Sequence, residues 1–229
     1  MRPCRARRER LTGVIVDLSH PITDGMVTYP GLPGPVISDH LSRAASRQRY
    51  ASGYEFQIGR IDMVSNTGTY LDTPFHRFAD GHDLAGLDLA RVVAVAGVMV
   101  DATGDQEAVL PAGVDVSGRA VLFRTGWDRH WASETYGDPI HPFVGMDAVD
   151  RIIDAGAAIV GIDSVNIDDT SGGARPVHTA LLGAGIPIVE HLRGLDRLIG
   201  SSFTFTAVPP AVVGMGTFPV RAFAVVAAP

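Results

Sequence analysis

Twelve consecutive residues, SNTGTYLDTPFH (65–76), carry an amide, a phenol, a carboxylate and an imidazole. Tyr70 follows Asn66 by four positions, Asp72 follows Tyr70 by two, and His76 follows Asp72 by four. Residues two apart in a strand share a face, so Tyr70 and Asp72 can be aimed at one point. Gly68 permits an unusual backbone angle and Pro74 restricts the residue before it, which suits a turn that converges several side chains. A second polar group stands in HTALLGAGIPIVE, where His178 precedes a short apolar helix and Glu190 ends the apolar strand after it. Asp72, His178 and Glu190 together would make an oxygen–nitrogen–oxygen set suited to Zn²⁺ or Mn²⁺. Spacing alone leaves a solvated loop and an ordinary strand-end carboxylate as alternatives.

Composition narrows the chemistry. All 19 basic residues are arginine, so a Schiff-base lysine and the lysine of a phosphate-binding loop are both excluded. No nucleotide cofactor is expected. The single cysteine, Cys4, allows neither an internal disulfide nor a Cys-x-x-Cys zinc site. A net charge of −6 argues against a nucleic-acid partner held by phosphate contacts. No apolar run approaches the roughly 20 residues that span a bilayer, so no membrane partner is expected. Residues 1–12, with five arginines in MRPCRARRER, read as a disordered basic tail ahead of one domain over 13–229. A cytoplasmic location is the default expectation.

The elements that must position these groups alternate between strand and helix patterns. Strands are expected from Val14, Phe56, Ala96, Arg119, Ala158, Ile186 and, as one final strand, Phe218. Helices are expected from Leu87, from Met146 with a stop at Gly156, and from Thr179. Residues 38–53 are polar with little periodicity and read as an exposed excursion, one use of which is a mobile lid. The intermixing predicts an α/β fold with a mixed sheet.

The frame N66-T-G-T-Y-L-D-T-P-F-H76 resembles the His-x-Gly-Thr-His-x-Asp-x-Pro-x-His signature of the cyclase family, which includes bacterial kynurenine formamidase and isatin hydrolase. DLSHPITDGMVTYPG, RTGWDRHW, VGIDSVNID, HTALLGAGIPIVEHLRGLDRL and PVRAFA extend the resemblance over nearly the whole chain. It implies a single domain with a barrel-like sheet flanked by helices, of the swivelling β/β/α type, and a homodimer or homotetramer. It implies Asp72 as a bridging or shared ligand, His76 as the catalytic imidazole, and His178 with Glu190 as ligands of a second metal. Asn66 and Tyr70 replace the two histidines of the signature's first half, both of which are metal ligands in the family. A neutral amide oxygen is a weak zinc ligand, and a phenol with a pKa near 10 binds metal well only when ionised. One divalent metal at most, Zn²⁺ or Mn²⁺, is therefore expected.

Two mechanisms follow for a small-molecule substrate. With a metal, a polarised water hydrolyses a formamide, cyclic amide or ester, with His76 as proton shuttle and Asn66 and Tyr70 as hydrogen-bonding groups. Without one, Tyr70, His76 and a carboxylate of raised pKa would serve a cyclisation, dehydration or isomerisation. An inactive binding homologue is the third alternative. Trp127 and Trp131 are candidates for an aromatic pocket wall. Ser164 and Asp168 are candidates to touch substrate or orient His178, and Arg175 to reach an acidic substrate group. Alternation places His191 on the opposite strand face from Glu190, away from the site.

Overall fold

A computed structural model describes residues 13–227, so the expectation of a disordered tail over 1–12 lies outside the described residues. Thirteen strands and three α-helices follow one another as β1 (Gly13–Asp17), β2 (Val36–Leu41), α1 (Arg43–Arg47), β3 (Ile58–Asp62), β4 (Tyr70–Asp72), β5 (Val95–Asp101), β6 (Glu107–Ala108), β7 (Ala120–Arg124), β8 (Phe143–Val144), α2 (Met146–Ala155), β9 (Ile159–Ile162), α3 (Pro176–Gly183), β10 (Ile188–Glu190), β11 (Phe203–Thr206), β12 (Thr217–Pro219) and β13 (Phe223–Ala227).

Nine strands form one mixed sheet in the order β1-β13-β11-β5-β7-β9-β10-β4-β12. Its centre, β5-β7-β9-β10, is parallel, and both flanks are antiparallel. β12 and β13 are joined by only Val220–Ala222, yet they are the ninth and second strands of the order. Seven strand spacings would put them roughly 34 Å apart in a flat sheet. Four Cα steps reach at most roughly 14 Å. The sheet must curl until its ends meet, and it forms a half-barrel. A bridge between Ser19 and Leu192 ties the chain beyond β1 to the chain beyond β10.

Side-chain alternation divides the core. On β7, Ala120 and Leu122 join the cluster inside the curl with Leu71, Phe203 and Phe205. Val121 and Phe123 face outward to Val149 and Ile152 of α2 and Leu181 of α3. A strand buried on both faces reads as a continuous apolar run, as AVLF does. The α2 helix ends at Gly156, whose φ of 68° lets its N–H cap the carbonyls of the last turn.

Four local expectations change. Where an α-helix was expected from Leu87, the chain forms a single 3₁₀ turn over Leu89–Arg91, capped by Asp88. The α3 helix starts at Pro176, not Thr179, so His178 lies in its first turn. The final strand is two strands, β12 and β13, because the chain changes sheet ends at Val220–Ala222. Residues 38–53 contribute β2 and α1, and β2 pairs with β3 in a separate two-stranded ribbon exposed over nearly its whole length.

Candidate active site

The β4 strand is buried throughout and lies between β10 and β12. Glu190 is opposite Tyr70, and Thr217 is opposite Asp72. Cross-strand partners share a face, so register alone gathers these four side chains.

The Tyr70 hydroxyl donates to Glu190 Oε2 at 2.6 Å. Glu190 Oε1 accepts the Ile167 N–H at 2.7 Å. Burial, with the Glu190 and Asp72 charges beside it, holds the Tyr70 phenol well above its ordinary pKa. Tyr70 is therefore a proton donor here, not a phenolate ligand. Burial, reinforced by Asp72 and opposed by His178, raises the Glu190 carboxyl.

The other half of the site has a different character. Asp72 Oδ1 accepts the Thr217 hydroxyl, and Thr217 Oγ1 lies 2.8 Å from His76 Nδ1. A hydroxyl has one proton to give. Given to Asp72, it makes His76 Nδ1 the donor and leaves the His76 Nε2 lone pair free. The 3₁₀ turn Pro74–His76 sets the ring at the cavity wall. Gly216 makes this possible, because a Cβ there would run into the His76 backbone.

His178 Nδ1 lies 2.6 Å from Asp168 Oδ2, and Asp168 also accepts the Val177 and His178 N–H groups at the start of α3. Asp168 thus orients His178 and turns its Nε2 inward. That nitrogen lies 3.5 Å from Glu190 Oε1 and 3.7 Å from Asp72 Oδ2. Burial would lower the His178 pKa, but Glu190, Asp168 and Asp72 overrule it and push it to about 10. Burial would raise Asp72, and the His178 and His76 rings hold it below the usual carboxylate range.

The donor chemistry fits one metal ion. Asp72 Oδ2 is buried without a hydrogen-bond partner, a costly state that a cation would relieve. Donors about 2.1 Å from a tetrahedral ion stand roughly 3.4 Å apart, close to the two separations at His178. Asp72, His76 and His178 have ligand atoms all within 4.8 Å of one another. Asp72 and His178 are thus the invariant pair, with Glu190 or His76 completing the set. Asn66 offers only a neutral amide oxygen and the Tyr70 hydroxyl is already given to Glu190, so both are weak donors for a second ion.

These groups open into a cavity of about 460 Å³, lined also by Tyr29, Asn66, Arg77, Asn166 and Arg175. Trp127 and Trp131 lie one layer back, packed with Tyr136 and Val165, and only Tyr29 of that cluster reaches the cavity. Ser164 is fully buried beside His141 Nδ1, at 3.2 Å.

Sequence reasoning misplaces His191 and misses Thr217, Arg77 and Asn166. His191 is fully buried, 2.8 Å from the Tyr136 hydroxyl, with its ring 5.0 Å from that of Tyr70. Its φ of 56° ends the strand at Glu190, so strand alternation does not govern it. Arg77 and Asn166 adjoin residues already singled out, and that adjacency was the available signal. Nothing local marks Thr217.

Among the described residues, no helix is long and apolar enough to cross a membrane. The Cyclase family model ("Putative cyclase") matches residues 16–169. Kynurenine formamidase of Bacillus cereus is 26% identical over 213 residues, covering 90% of this chain and 95% of that protein. Kynurenine formamidase of Salinibacter ruber is 27% identical over 216 residues, covering 91% and 95%. A solved structure described as a potential metal-dependent hydrolase with cyclase activity is 26% identical, with a TM-score of 0.75 over 94% of this chain and 99% of that one. Isatin hydrolase A from Ralstonia solanacearum, 21% identical, has the same fold, with a TM-score of 0.76 over 93% and 92%. On its sequence, its curled mixed sheet and the site that sheet assembles, the chain belongs to the cyclase family, alongside these hydrolases.

Proposed function

We propose that the protein is a hydrolase of a formamide, cyclic amide or ester, with His76 as its proton shuttle. The Asp72–Thr217–His76 line carries this reading, because it engages His76 Nδ1 and sets the ring at the cavity wall, where the Nε2 of the neutral ring is the nitrogen that can accept a proton. His76 Nε2 takes a proton from the attacking water and returns it to the leaving nitrogen or oxygen. Asn66 and Asn166 present amides to the developing oxyanion. Asp72, His178 and Glu190 would hold one Zn²⁺ or Mn²⁺, which when bound would supply an acidified water and a Lewis acid for the carbonyl.

The test pairs turnover of formanilide and simple lactones with metal analysis. The reading expects hydrolysis, about one ion per chain, and loss of activity and of melting temperature on chelation. Two ions per chain, or turnover indifferent to chelation, would refute the metal assignment. The Tyr70–Glu190 hydrogen bond supports a second reading, a metal-free acid–base cyclase, dehydratase or isomerase. It predicts that Tyr70→Phe abolishes turnover while the fold persists.

A homodimer or homotetramer is proposed on the β2–β3 ribbon, which exposes Val36, Ile37, Ile58 and Ile61 and pairs with no other strand of its own chain. A two-stranded ribbon is marginal alone in water. Light scattering checks the assembly, and a monomer at micromolar concentration refutes it.

A further inference from the structure

The cavity has a charged mouth that the hydrolytic chemistry does not use. Arg77 and Arg175 both line it. They are 98 positions apart in sequence, and Thr179 on α3 couples them. Arg77 Nε donates to Thr179 Oγ1 at 3.0 Å, and that hydroxyl donates to the Arg175 carbonyl at 2.7 Å. Arg175 is fixed further, since one of its terminal nitrogens donates to the carbonyls of Asp169, Gly172 and Ala174. Its Nε and second terminal nitrogen have no partner among the described residues, and the same holds for both terminal nitrogens of Arg77.

Neither guanidinium has a carboxylate within salt-bridge distance among the described residues. Five other arginines do find one. Arg47, Arg119, Arg124, Arg193 and Arg221 each pair with an aspartate or glutamate. The acidic group nearest Arg175 in sequence, Asp169, is turned onto the N–H and hydroxyl of Ser171 instead. Inside the cavity, the charge of Glu190 faces His178 at 3.5 Å. An arginine offers a planar fork that matches a carboxylate, and holding the fork beforehand removes part of the ordering cost of binding.

We infer that Arg77 and Arg175 form a carboxylate-binding rim, so that the substrate is an anionic amide or ester carrying a carboxylate apart from the bond that is cleaved. The substrate's body lies against Tyr29 and Leu32, which supply the apolar wall. This rests on the hydrolase reading for its reaction but not for its binding site.

The experiment has a binding arm and a turnover arm. Calorimetric titration compares benzoate with benzamide, its neutral counterpart, on the wild-type protein and on Arg77→Gln, Arg175→Gln and Thr179→Val. Benzoate should bind at least ten times more tightly than benzamide, and more weakly as salt rises. Arg77→Gln should remove about tenfold of that preference, Arg175→Gln as much or more, and Thr179→Val a smaller share. The turnover arm compares 2-formamidobenzoate with formanilide. Wild type should favour the acid through KM, and Arg77→Gln should erase that preference by raising KM for the acid far more than for formanilide. Arg77 makes a single hydrogen bond, so its variant keeps the test valid if Arg175→Gln disturbs its loop. Equal binding of benzoate and benzamide, or a preference that survives both arginine changes, overturns the inference. Arginine-dependent benzoate binding without turnover of either formanilide would support the rim and refute the hydrolase.

Discussion

The two ends of β4 serve the same site and solve opposite problems. At Tyr70 the polar groups are satisfied, since the phenol gives its proton to Glu190, whose other oxygen takes a backbone N–H. At Asp72, two residues on, one carboxylate oxygen is buried without a partner, and two imidazoles turn toward it. Fully satisfied polar groups rigidify a site, whereas an unsatisfied buried oxygen is kept only where something binds or reacts. The contrast assigns structure to the Tyr70 end and chemistry to the Asp72 end.

The largest expected effect tests the chemical end. His76→Ala should cut kcat by about 10²–10⁴-fold with the melting temperature little changed. A loss below tenfold would move the proton shuttle elsewhere. Thr217→Val removes the link between Asp72 and His76 and should cost about 10–100-fold, with a shifted pH–rate profile. An unchanged profile would show that Thr217 only packs.

Tyr70→Phe probes the satisfied end. It strips Glu190 Oε2 of its hydrogen bond and should destabilise the protein by about 1–3 kcal/mol in urea melts, with turnover within a few-fold. Loss of turnover with stability intact would reverse the assignment of the two ends.

The aromatic bed behind Tyr70 gives a pH prediction. His20 stacks on Trp131 at 3.8 Å, and burial, helped by the Arg193 charge, lowers its pKa to about 4. Below pH 6.5 the unfolded chain binds a proton that the folded chain refuses. Stability is therefore full above pH 6.5 and falls toward pH 4, by about 1.4 kcal/mol per pH unit at the steepest. His20→Phe should flatten that slope. The smallest effect is expected far from both ends, at the exposed Asp17–Arg221 pair, where Arg221 holds the Asp17 carboxyl below its usual range. Its contribution is present above the unfolded carboxyl pKa and lost as pH falls through the lower folded one. Arg221→Ala should leave the urea midpoint at pH 7 nearly unchanged.

The sequence shows much of this arrangement where one local rule acts. The period of two makes Tyr70 and Asp72 neighbours, and the apolar run before Glu190 marks a strand that ends in a carboxylate. Gly156 stops α2 as its type predicts. Thr217 is invisible because its role depends on pairing with Asp72 across 145 positions. His191 misleads because the alternation rule assumes a strand that a positive φ has already ended. The tryptophans mislead because an aromatic segment next to a site reads the same whether it forms the wall or the layer behind it.

The three-residue link from β12 to β13 has a consequence for biosynthesis. Residues 217–219 pair with β4 and bring Thr217 to Asp72, and residues 223–227 pair with 13–17 across more than 200 positions. Contacts of such sequence separation form late and slowly. The nascent polypeptide must therefore wait, with β1 unpaired, until β13 has left the ribosome. Assembly of the reactive groups and closure of the fold then become one event.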